Sequence, residues 1–79
     1  MKERITLRLY EDPSTPVACE DARYTADQKQ GGGAYERGDT VPLDEKAGGR
    51  LFGIIDEVGE ETREDEAGRY RTAVVWTQD

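Results

Sequence analysis

The sequence predicts an α+β fold, a small antiparallel sheet of about four strands with at most one helix. Three features point to it. Residues 5–10 alternate apolar and polar side chains, the period of a half-buried strand. Residues 51–58 and 69–76 are two β-rich runs, and the ten residues between them are bracketed by Gly59 and Gly68. Residues 17–30 lie between Pro16 and Gly31 and carry Ala18, Ala22 and Ala26 at a spacing that puts all three on one helical face.

The first strand places Ile5, Leu7 and Leu9 on one side and Thr6, Arg8 and Tyr10 on the other. Pro13 and Pro16 then stop it. Residues 17–30 also admit a strand reading, because Val17, Cys19 and Tyr24 suit one; the helix is the expectation taken. Gly31-Gly32-Gly33 is a flexible break. No Lys-Ser/Thr pair follows it, so it is not a phosphate-binding loop. Residues 39–43 read as a short edge strand, since Pro42 lacks the N–H that a central strand needs. Residues 44–49 read as a polar turn. The runs 51–58 and 69–76 are expected to pair as an antiparallel hairpin with a long acidic connection.

A chain of 79 residues holds one domain, taken as 1–79. The apolar share is 34%, but it is clustered rather than scattered, which favours folding over disorder. The opening Met1-Lys2-Glu3-Arg4 has no apolar segment behind it. No run approaches the ~18 apolar residues of a membrane span. The expectation is a cytoplasmic protein without membrane contact.

Catalysis is disfavoured by what is missing. The chain has no histidine and one cysteine, Cys19, so a thiol–imidazole pair, a zinc site and an internal disulfide are all ruled out. The lone Ser14 sits between prolines with no base near it. The expectation is a non-enzyme with no cofactor and no metal.

Charge carries the functional signal. The net charge is −7. Residues 56–66 hold seven acids (Asp56, Glu57, Glu60, Glu61, Glu64, Asp65, Glu66) against Arg63, a net −6; the other residues hold eleven acids and ten bases, a net −1. Acidity that served only solubility or salt tolerance would be spread evenly. A solvated loop guarding a strand edge is the plainer reading. The sharper one makes these seven residues a partner-binding surface. Such a surface repels nucleic acid and attracts the basic surfaces that hold it. Phosphates recur every ~3.4 Å along a strand of DNA, and an extended peptide advances ~3.3 Å per residue. A run of carboxylates therefore presents anionic charge at a density like that of a phosphate backbone.

Size and charge distribution, with residues 56–66 as the matching feature, resemble the small acidic phage-encoded anti-CRISPR proteins. That resemblance implies an inhibitor for evading antiviral defence. It would act in the host cytoplasm, binding the basic DNA path of a type I CRISPR effector complex and blocking DNA access. Residues 38–76 also resemble part of an SH3-like or Tudor-type barrel, in Gly38-Asp39-x-Val41, the glycine-rich turn 49–53, Ile54-Ile55-x-x-Val58 and Tyr70-x-x-x-Val74-Val75-Trp76. The insertion 59–68 and Pro42 depart from that pattern. This second resemblance implies a structural adaptor, such as a phage particle component.

Overall fold

Residues 2–78 are described by a computed structural model. Seven strands follow one another: β1 (Arg4–Tyr10), β2 (Ala18–Cys19), β3 (Tyr24–Ala26), β4 (Thr40–Glu45), β5 (Arg50–Val58), β6 (Arg63–Asp65) and β7 (Gly68–Gln78). They form one antiparallel sheet in the order β2-β1-β7-β5-β4-β3, and β6 adds to β7. β2 and β3, the two ends of this order, lie against each other, so the sheet curls into a nearly closed barrel.

The α+β expectation is therefore corrected: the described residues are all-β, with seven strands rather than about four and no helix. Residues 17–30 form β2, a turn and β3. An alanine face is too small to bury much area, whereas Cys19 pairs opposite Leu7 and Tyr24 becomes a core residue. The turn between them is set by Asp21, whose carboxylate accepts the Arg23 backbone N–H at 2.9 Å.

The two β-rich runs do pair, from Phe52 opposite Gln78 to Val58 opposite Ala73. Their connection is shorter than expected. Residues 63–65 pair with Gly68–Tyr70, leaving a tight turn at Glu66-Ala67. Gly68 takes the positive φ (130°) that this turn requires.

β4 lies between β5 and β3 rather than at an edge. Pro42 is tolerated because β3 pairs only as far as Leu43. In an antiparallel strand a residue's N–H and C=O point to the same side. The Pro42 carbonyl accepts the Asp27 N–H at 3.1 Å, so its missing donor faces the place where β3 has already ended. Locally, the strand has an edge there.

Strand alternation fills the barrel. Ile5, Leu7, Val41, Leu43, Ile55, Ala73 and Val75 are buried, with Tyr24 and Tyr35 packed against them. Thr77 is the buried polar member. Its hydroxyl accepts the Glu3 N–H at 2.8 Å, and no buried side-chain nitrogen or oxygen among the described residues is left without a partner. Gly53 points inward from β5 where a side chain has no room: a Cβ there would lie 2.3 Å from Val75 Cγ1 and 3.2 Å from Leu43 Cδ1. No described helix is long and apolar enough to cross a membrane.

Candidate functional site

The acidic stretch begins on the outer face of the barrel. In β5, Gly53 and Ile55 point inward while Phe52 and Ile54 point outward. The register with β7 then shifts between Ile55 and Glu57, the mark of a β-bulge. A bulge adds one residue to a strand and breaks its alternation. Here Asp56 and Glu57 both become exposed, and Val58 returns to pack against the core. The Gly59 N–H donates to the Thr72 carbonyl at 2.8 Å and anchors the chain as it leaves the sheet. Glu60, Glu61, Glu64 and Glu66 follow, all exposed.

Asp65 behaves differently from the other six. Its Oδ2 receives hydrogen bonds from Arg8 Nη1 and the Tyr10 hydroxyl, both at 2.5 Å, and its Oδ1 accepts the Ala67 N–H at 2.8 Å. The Tyr10 bond, with help from Ala67 and Arg8, holds this carboxyl below its ordinary value of 3.8. The same bond raises the Tyr10 phenol, and Asp65 and Glu20 together raise Arg8. Arg8 stacks over the Tyr70 ring at 4.8 Å, and Tyr10 packs against Tyr70 at 5.4 Å. Asp65 thus pins the β6–β7 hairpin onto β1 and is occupied by the molecule's own cation.

The remaining carboxylates are largely free. Glu61 meets Arg63 only at 3.8 Å, with both side chains more than half exposed. Asp56, Glu57, Glu60, Glu64 and Glu66 have no ion-pair partner among the described residues. Elsewhere the acids are mostly tied down. Arg8 holds Glu20, Arg23 holds Glu3 and Asp21, Lys29 holds Asp39, and Arg50 holds Asp27 and Asp44. Its hydrogen bonds from Arg23 hold Asp21 down near 2.

Beside Asp56 and Glu57 lies an exposed apolar patch. Phe52, Ile54 and Trp76 are 52%, 40% and 38% exposed. Ile54 sits directly opposite Trp76 on the outer face, and Phe52 sits opposite Pro42. The signal was in the sequence. Ile54-Ile55 and Val74-Val75-Trp76 are apolar at both parities, and a single-layer barrel buries only one. Arg4, opposite Trp76, borders the patch on its β1 side.

A second feature, also missed, lies inside one end of the barrel. A half-open cavity of about 660 Å³ opens beneath the loops 11–17 and 27–39. Leu9, Val17, Tyr35 and Val58 contribute apolar walls, and Arg71 reaches it from β7. These residues come from distant parts of the chain, so no local pattern announces them.

Among the described residues, no three His, Cys, Asp or Glu side chains converge to hold a metal ion. Burial pushes the Cys19 thiol up, away from the reactive thiolate. No protein-family model matches the chain, and neither a curated protein nor a solved structure matches it.

Proposed function

We propose that this chain is a small acidic inhibitor. It docks on the basic nucleic-acid-binding groove of a protein partner and keeps DNA out. The observation that carries this reading is the juxtaposition on β5. Asp56 and Glu57, without ion-pair partners among the described residues, follow on β5 from an exposed Phe52–Ile54–Trp76 patch, and Glu60, Glu64 and Glu66, equally unpaired, come after them in the loop, β6 and the tight turn. An aromatic centre with a charged border is the anatomy of a protein-binding face. The sign of the border selects a cationic partner, and long-range attraction speeds its capture. Docking of a second copy is disfavoured, because it would bring together two chains of net charge −7.

The test is capture on the immobilised chain of a purified type I CRISPR effector complex, and of other DNA-handling complexes, followed by challenge with duplex DNA. Release by DNA, with no capture by a Glu60→Lys, Glu61→Lys, Glu64→Lys, Glu66→Lys variant, supports the reading. Capture that ignores both DNA and the variant overturns it.

The barrel favours a second reading. A nearly closed antiparallel barrel is the architecture that the SH3-like resemblance implies, and such barrels serve as structural adaptors. An adaptor would engage its neighbour chiefly through Phe52, Ile54 and Trp76, and its complex would tolerate salt.

A further inference from the structure

The geometry points to a second binding site, inside the mouth of the barrel, for a small amphipathic monoanion: an apolar body ending in one carboxylate. The site is separate from the outer docking face and stands without it. The cavity of about 660 Å³ falls within the roughly 300–1,000 Å³ typical of small-molecule sites. Leu9, Val17 and Val58 supply apolar walls. Tyr35 is buried and spends its hydroxyl on the Asp27 carbonyl at 2.6 Å, so its ring faces the cavity without a free polar group. Gly32 and Gly33, on the loop above, border the opening and have no side chain to fill it.

The polar groups decide the ligand's charge. Arg71 has the inward parity of Ala73, Val75 and Thr77, which are all core residues, yet it lies one step beyond the packed interior, opposite Leu9. Its exposed side chain makes no ion pair or hydrogen bond among the described residues, while its backbone pairs with β1. Other polar groups at the cavity are engaged: Lys29 by Asp39 and the Ala34 carbonyl, Asp12 by Ser14. Arg37 adds a second free cation at the opening, while the exposed Glu11 and Glu36 there oppose a second negative group. A guanidinium on a strand, next to an apolar chamber, is a seat for one carboxylate.

The experiment titrates the ¹⁵N-labelled protein with octanoate, and in parallel with octanol and octylammonium, following amide shifts by NMR. Octanoate is expected to move Leu9, Val17, Val58 and Arg71 and to leave Phe52, Ile54 and Trp76 in place. Arg71→Gln should weaken octanoate by about tenfold or more and leave octanol unchanged. Val58→Trp, or Ala34→Trp should the first variant lose its folded spectrum, should abolish both by filling the space. Absence of octanoate binding at millimolar concentration, shifts centred on Trp76, equal binding of octylammonium, or an Arg71→Gln variant as tight as wild type would each overturn the assignment.

Discussion

Most of the described acids outside residues 56–66 are ion-paired, while most of those inside it are not, and the contrast is instructive. In the body of the barrel, Glu3, Glu20, Asp21, Asp27, Asp39 and Asp44 each sit against an arginine or lysine of the same molecule. Those charges are spent within the molecule. In the stretch 56–66 only Asp65 is held that way, by Arg8 and Tyr10, and Glu61 touches Arg63 loosely. Net charge alone would not reveal this difference. It shows that the protein has cations to neutralise carboxylates and does not direct them to Asp56, Glu57, Glu60, Glu64 or Glu66.

Several substitutions test this contrast between free and paired acids. The largest effect belongs to reversing Glu60, Glu61, Glu64 and Glu66 to lysine. Partner affinity should fall roughly a hundredfold or more. The thermal melt should barely move, because these exposed side chains touch nothing in the core. Trp76→Ala comes next, with a loss of about tenfold to thirtyfold in affinity by calorimetry, the scale of an aromatic anchor.

Gly53→Ala strikes the scaffold on which both regions sit. Its methyl group would collide with Val75, and overpacking of this kind costs about 1–3 kcal/mol. Chemical denaturation should read that cost, with binding lost only as far as the fold is lost. Asp65→Asn is the smallest perturbation and the sharpest control. It weakens the clamp on β1, so the melting temperature should drop modestly while partner affinity holds.

The pH dependence follows from the paired set. Asp65, Asp21 and Asp39 all have folded-state values below the ordinary 3.8. Carboxyls depressed by folding stabilise it fully above their unfolded values and lose that contribution as the pH falls through the folded ones. Stability should therefore be level above about pH 5 and fall below about pH 4. The decline should be shallower in Asp65→Asn.

Part of this was legible in the sequence. The alternation over Ile5–Tyr10 and the two runs that became β5 and β7 were long enough to show their period, and they form the centre of the sheet. β2, β3 and β6 are two or three residues each. No periodicity develops over such lengths; they exist because longer strands offer them partners. The alanine spacing in residues 17–30 suggested a helix, but tertiary pairing of Cys19 and burial of Tyr24 outweighed that local preference. At the site, the density of acids was plain from composition. The withdrawal of Asp65 was not, because its partners Arg8 and Tyr10 lie 57 and 55 residues away.

The most direct test is the salt dependence of affinity, measured for wild type and the four-lysine variant against one purified partner complex. If free carboxylates occupy a cationic groove, the logarithm of the wild-type association constant falls steeply and linearly with the logarithm of salt concentration, and the variant loses most of that slope along with its affinity. A wild-type complex indifferent to salt, or a variant that binds with the same strength and slope, would contradict the account.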